Sequence, residues 1–295
     1  MDSWIRGVAA VVGGVLVLAV TACVPTGMDG DLTSDWAALP EPRQMVPEAG
    51  LCYRSYYHPT LQLRSSAPPT NCTSTHELEV AHVGTFGGEA AARDTPPTQE
   101  TPAWRDAYAE CEREAAEYLG ADFRHGRLWL GVAVPTQAAW GGGARWFRCD
   151  LTEVRERMHR TLWPDSLRGA LAAGPSDLTL NCFTATVEDS GDVSGMDPVP
   201  CSEPHQAEFA GVWRSDQARY PRTEGQINQV HRGCWGVVAE FVGVSEAELD
   251  DLRFGHIFDW VDELDWNNGD RGFRCYLYSH HRDLTGSMAG VGPQG

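Results

Sequence analysis

Nine cysteines are present, and eight of them fall into two sets of four with nearly the same spacing. Cys52, Cys72, Cys111 and Cys149 form the first set, and Cys182, Cys201, Cys234 and Cys275 form the second. Residues around them repeat in order. Cys72-Thr-Ser-Thr-His76-Glu-Leu-Glu79 matches Cys201-Ser-Glu-Pro-His205-Gln-Ala-Glu208, and Cys111 precedes Gly120 by the same nine residues that separate Cys234 from Gly243. Trp140-Gly-Gly-Gly-Ala-Arg145-Trp-Phe147-Arg148-Cys149 aligns without a gap on Trp266-Asn-Asn-Gly269-Asp-Arg271-Gly-Phe273-Arg274-Cys275, and Ser166-Leu-Arg-Gly169 recurs as Ser287-Met-Ala-Gly290. Self-similarity in this order means one supersecondary unit built twice.

An even cysteine set predicts disulfides wherever the environment is oxidising. Zinc is a poor alternative, because no C-x2-C pair exists and spacings of about 20 residues or more do not suit compact ligand clusters. Four cysteines allow three pairings per repeat. The expected set is Cys52 with Cys72, Cys111 with Cys149, Cys182 with Cys201 and Cys234 with Cys275, while first-to-third with second-to-fourth stays open.

Within each repeat the apolar periodicity changes along the chain. Trp104, Tyr108, Cys111, Ala115 and Tyr118 fall at helical spacing before Gly120, as do Ile227, Val230, Cys234, Val238 and Phe241 before Gly243, so each third cysteine belongs to the buried face of a glycine-capped helix. Residues 76–86 and 205–213 alternate as strands, and 145–149 and 271–278 are further strands. Ser245 to Glu248 has the form of a capping box. The expected fold class is α+β, two tandem disulfide-stapled repeats, each a small sheet with a cysteine-bearing helix packed on it. Residues 50–169 hold the first repeat and 179–291 the second, with a linker over 170–178 around Gly174-Pro175. Asp94 to Pro102 and Asp189 to Pro200 read as polar loops in matching regions.

Upstream of the repeats, Val8 to Val20 is an apolar run after Arg6, too short to span a bilayer, which needs about 20 apolar residues. It reads as the h-region of a signal peptide over 1–22. Val20-Thr21-Ala22-Cys23 resembles a lipobox, making Cys23 the expected lipid attachment residue, with palmitate among its acyl chains. Two chains of a diacylglyceryl group hold a protein at a membrane where one does not. Residues 23–49 are then the lipidated N-terminus and a flexible, proline-containing stalk. The expected address is the outer face of the cytoplasmic membrane.

The formal net charge of −18 excludes nucleic acid as a natural partner and argues against electrostatic adhesion to anionic lipid. No nucleophile elbow, H-E-x-x-H helix, phosphate loop or dinucleotide fingerprint is present, so no enzyme activity and no cofactor or resident metal are expected. The matched His76, Glu79, His205 and Glu208 are weak binding candidates, against a structural role in which each histidine packs beside the disulfide and is hydrogen-bonded at the strand start; a ligand contact requires the strand to begin only after the histidine. On an extended strand, residues three apart face opposite sides, which predicts that each histidine and glutamate point away from each other. Arg145 and Arg271 could clamp a carboxylate or phosphate, against a structural ion pair bracing the Trp and Phe segment. Matched Trp140 and Trp266 are expected in the core, while Trp129, Trp146, Trp213 and Trp260 are the candidates for a glycan platform.

The C-x3-H-x2-E segment, the helical cysteine, the W-x2-G-x-R-x-F-R-C segment and the closing Ser-x2-Gly pattern together resemble the septum formation domain of actinobacterial envelope proteins, once per repeat across 50–291. Thr75 stands where the second repeat has Pro204, and Asp165 where it has Gly286. The resemblance implies an extracytoplasmic role in division or cell-wall assembly and no established reaction. The expected function is a non-catalytic envelope lipoprotein binding division or cell-wall partners. The alternative is a binding module for a small ligand or wall glycan between the repeats, which a sizeable pocket lined by unmatched aromatics or arginines would favour.

Overall fold

The computed structural model describes residues 46–54, 69–155, 159–160, 162–172, 174–189 and 191–292, all within one compact unit. The leader and Cys23 lie outside the described residues. No helix among the described residues is long and apolar enough to cross a membrane.

Two antiparallel sheets carry the fold. The first contains β1 (Cys52–Tyr53), β2 (Leu78–Thr85), β3 (Leu128–Ala133) and β4 (Trp146–Arg155) in the order β1-β2-β4-β3, with β5 (His159–Arg160) paired to β4. The second contains β6 (Cys182–Val187), β7 (Val193–Val199), β8 (Ala207–Arg214), β9 (Phe254–Phe258) and β10 (Gly272–Ser279) in the order β7-β6-β8-β10-β9. The internal repeat is visible in the register: Cys52 lies opposite Glu79, and Cys182 lies opposite Glu208. Both central pairs also slip at the same place, between Val80 and His82 in β2 and at the matching point of the β8–β10 ladder. Such bulges bend and twist a strand locally.

A long helix packs on each sheet. Helix α2 (Pro102–Leu119) follows the four-residue α1 (Gly88–Ala91) and starts at Thr101, whose side chain accepts from the Trp104 amide, with Pro102 in the first turn where no N–H is missed. It stops at Gly120, whose φ of 88° is a left-handed cap. After the short α3 (Gln137–Gly141) of the first repeat, α4 (Glu224–Val242) begins with a full capping box between Thr223 and Gln226 and ends at Gly243, φ 82°. The expected capping box of Ser245 and Glu248 opens α5 (Glu246–Asp251), and α6 (Glu263–Asn268) completes the second repeat. Trp104, Tyr108, Cys111, Ala115 and Tyr118 are all buried, as the spacing predicts.

Disulfides join Cys52 to Cys72, Cys111 to Cys149, Cys182 to Cys201 and Cys234 to Cys275. In each repeat one bridge ties β1 or β6, the strand opposite the matched glutamate, to the segment before the matched histidine, and the other pins the helix to the central strand β4 or β10. The chain is therefore α+β in two disulfide-stapled repeats.

Two regions differ from expectation. Asp189 to Pro200 is not a loop, because Val193–Val199 pairs with β6 as an outer hairpin strand, and it does not occupy the place of Asp94 to Pro102, which lies after β2 rather than before β8. This strand is solvated, with no buried residue, so it carries no apolar alternation for the sequence to display. The stretch 170–178 is not a free tether either. Leu171 and Leu178 are buried in the core of the first repeat, and Leu178 accepts from the Arg127 amide at 2.8 Å.

Candidate functional site

The strands begin after the matched histidines rather than at them. His76 sits in an isolated bridge with Trp163, and β2 starts at Leu78. In the second repeat His205 bridges Leu284, and β8 starts at Ala207. The alternation rule thus does not reach the histidines, and the expectation that His76 and Glu79 face opposite sides is corrected. His76 Nε2 lies 3.2 Å from the Glu79 carboxylate with both side chains sealed from solvent. His205 Nε2 lies 3.1 Å from Glu208.

Each pair is closed by its own repeat's tail. Glu79 accepts from the Ser166 hydroxyl at 2.7 Å, the Leu167 amide at 2.8 Å and the Tyr118 hydroxyl. Glu208 accepts from the Ser287 hydroxyl at 2.8 Å and the Met288 amide at 3.0 Å. Gly169 and Gly290 then donate to the carbonyls of Tyr118 and Phe241, both at 2.8 Å. The matched histidine, glutamate and Ser-x2-Gly segments are one lock that fastens the tail over the helix end.

The ring nitrogens define the electrostatics. His76 Nδ1 lies 2.8 Å from the Ser74 carbonyl, which only accepts, so both ring nitrogens face acceptors and the imidazolium is the form that satisfies them. Burial opposes this charge, but Glu79, the Ser74 carbonyl and Asp165 overcome it and raise the His76 pKa above the ordinary value. Burial also works against the Glu79 charge, and His76, Tyr118, Leu167 and Ser166 outweigh it, so its pKa is lowered. Tyr118 is pushed up to about 12, first by burial and then by its bond to Glu79. A buried pair whose carboxylate also accepts from Tyr118, Ser166 and Leu167 is a structural element, and no substrate reaches it from solvent. Sulfur from Cys52 lies within 4.8 Å of the His76 and Glu79 ligand atoms, and Cys182 is placed likewise with His205 and Glu208, but disulfide sulfurs offer a metal no thiolate.

Arg145 and Arg271 both brace the tryptophan segment, by stacking and by bonds to backbone carbonyls rather than by an ion pair among the described residues. Arg145 stacks on Trp140 at 4.2 Å and donates to the carbonyls of Ala91, Trp140 and Ala144. Arg271 stacks on Trp266 at 3.9 Å and donates from Nη1 to the carbonyls of Trp266 and Asp270. Trp140 and Trp266 are core residues. Of the four tryptophans considered for a glycan platform, Trp129 and Trp146 are buried and Trp213 half-buried, leaving Trp260 alone exposed, at 48 %. They do not form a platform.

The sequence carries no signal for the polar contacts along the seam between the repeats. Arg274 reaches into the first repeat and donates to the carbonyls of Arg124 at 2.9 Å and Leu128 at 2.8 Å, whereas its matched Arg148 pairs with Asp150 inside its own sheet. Trp129 donates to Asp265 at 2.9 Å, and Arg214 pairs with Glu112 and Asp122. Beside this seam opens a cleft of about 560 Å³. Arg105 of the first repeat and Arg219, Arg222 and Arg271 of the second line it, together with Tyr220 and Trp266. Arg105, Arg219 and Arg222 carried no sequence signal, since none belongs to a matched segment.

Paired disulfide-stapled sheets, each locked by a buried histidine–glutamate pair and docked through an ionic seam, define a tandem-repeat protein whose matched polar residues hold the fold together. The family model described as septum formation matches residues 49–275, and the chain belongs to that family. No curated protein and no solved structure matches it.

Proposed function

We propose that the chain is a lipid-anchored, non-catalytic binding protein on the outer face of the cytoplasmic membrane, which serves septum formation by engaging division or cell-wall partners. The observation that carries the reading is the family match over both repeats. Four disulfides support an oxidising compartment, where such bridges persist. Sealing of the matched His and Glu residues inside the fold supports binding rather than turnover. One observation favours a second reading, a module for a small ligand: the arginine-lined cleft between the repeats.

A C-terminal fusion that fluoresces outside the cytoplasm tests the division role. Enrichment at the septum is expected, and an even signal around the cell overturns that part. Exchange of Cys23→Ser tests the anchor: incorporation of a labelled palmitate analogue should be lost and the protein released, and persistent labelling overturns the lipobox assignment.

A further inference from the structure

We propose that the cleft between the two repeats binds an oxyanion, a phosphoryl or carboxylate group carried by a small ligand, held by Arg105, Arg219, Arg222 and Arg271. The inference rests on reading this cleft as a ligand site and needs neither the septal address nor the anchor.

The internal repeat supplies its own control. In the first repeat Arg145 Nε donates to the Ala91 carbonyl at 2.6 Å, on the short helix α1 that follows β2. After β8 no such helix is formed, and residues 215–223 run past as the irregular wall of the cleft. Arg271 keeps the stacking on tryptophan and the bonds from Nη1, but its Nε and Nη2 have no acceptor among the described residues. A planar guanidinium held rigidly on an aromatic ring with free N–H groups on one edge is the geometry that receives an oxyanion bidentately.

Three further arginines line the same space. Among the described residues the Arg105 guanidinium donates only to the Glu100 carbonyl, at 3.1 Å, and Arg219 makes no ion pair. Arg222 pairs with Glu263, and that pair lies open to solvent, where such contacts are weak. Glu100 and Glu263 are the acidic residues in the lining, so four positive groups face two negative ones in a chain of net charge −18. Burial, resisted by Asp270 and reinforced by the nearby Arg105 charge, lowers the Arg271 pKa below the usual arginine value. An anion between these groups relieves that repulsion. The cleft volume suits a small ligand, and Tyr220, whose ring lies 5.7 Å from Trp266, gives it an aromatic side.

The test is calorimetric titration of the purified full-length protein at low salt with sodium pyrophosphate, citrate and the uncharged chitotriose. Saturable binding of pyrophosphate or citrate is expected, and which of the two binds more tightly identifies phosphoryl or carboxylate. The double variant Arg219→Ala/Arg222→Ala alters exposed side chains only, and should weaken that binding at least tenfold with an unchanged melting temperature. Arg113→Ala, on the exposed side of α2, should leave it unchanged. Equal loss in the Arg113 variant, or no loss in the double variant, overturns the proposal. Binding of chitotriose alone overturns the oxyanion but keeps a ligand site, and binding of no probe overturns both.

Discussion

Arg124 of the first repeat donates from Nε to Asp270 of the second at 3.0 Å, and its side chain is only 1 % exposed. Its charge is tolerated there because Asp270, Glu112 and Asp122 surround it, with Arg214 sharing the last two. The first repeat has Trp146 where the second has Gly272, and a Cβ at Gly272 would lie 2.3 Å from Arg124 Nε. The glycine makes room for the arginine, so the seam is written into one departure from the repeat.

Asp270→Asn should therefore destabilise the protein by about 1 kcal/mol, because Glu112 and Asp122 still compensate the buried charge. Arg124→Met should cost about 3 kcal/mol, because it leaves the carboxylates of Asp270, Glu112 and Asp122 clustered, with Arg214 pairing the last two. Urea unfolding of the two variants decides it: a smaller loss for Arg124→Met would mean that burying the guanidinium costs more than its pairs return.

Tyr118→Phe should cost about 1 kcal/mol, the contribution of one hydrogen bond to a buried carboxylate whose other donors remain. The second repeat already has Phe241 at the matched position and closes its lock without that hydroxyl. Ultraviolet titration adds an independent check. One tyrosine ionising near pH 12 should disappear from the alkaline transition of the variant.

The His76–Glu79 lock makes stability depend on pH in a defined sense. A raised histidine pKa contributes stability that is fully present below the unfolded value near 6.5 and is lost as pH rises through the folded value. Glu79, with its lowered pKa, contributes above its unfolded value near 4.5 and loses that contribution as pH falls. The pair is thus strongest between those two values. Melting temperatures of the wild type and of Glu79→Gln should differ most in that interval, and the difference should narrow above it as the His76 share is lost while the bonds from Tyr118, Leu167 and Ser166 remain. A difference that stays constant from pH 5 to pH 9 would contradict the ion pair.

Asp265 has a carboxyl pushed up to about 7, chiefly by burial, despite the hydrogen bond from Trp129 and with Asp262 and Asp270 nearby. A carboxyl with a raised pKa favours the folded state at low pH, and this advantage is lost as pH rises from its ordinary value near 3.8 through about 7. Asp265→Asn should flatten that part of the stability curve. Carboxyl chemical shifts followed by NMR would read the titration directly, and a midpoint near 4 would refute it.

Much of this architecture is local and could be read from the chain. Helices α2 and α4 announce themselves because an apolar residue every three or four positions can face only one way, and Gly120 and Gly243 mark their ends because a left-handed cap excludes most side chains. The cysteine spacing and repeated motifs revealed two copies of one unit, and the pairing expected from them is the pairing found. The contact between His76 and Glu79 does not follow from strand alternation, which applies only where the ladder has begun, and that starting point depends on Trp163, far along the chain.

Tertiary structure alone decided how the two copies use the same residue differently. Arg148 and Arg274 occupy matched positions, yet one pairs within its own sheet and the other grips the backbone of the neighbouring repeat. Arg145 and Arg271 share their stacking and differ in a single carbonyl acceptor, which decides whether the edge of the guanidinium is spent or faces a cleft. A sequence records the periodicity of each segment, because that follows from the geometry of its own backbone. Partners more than a hundred residues away leave no such trace, since they are set by how completed elements pack.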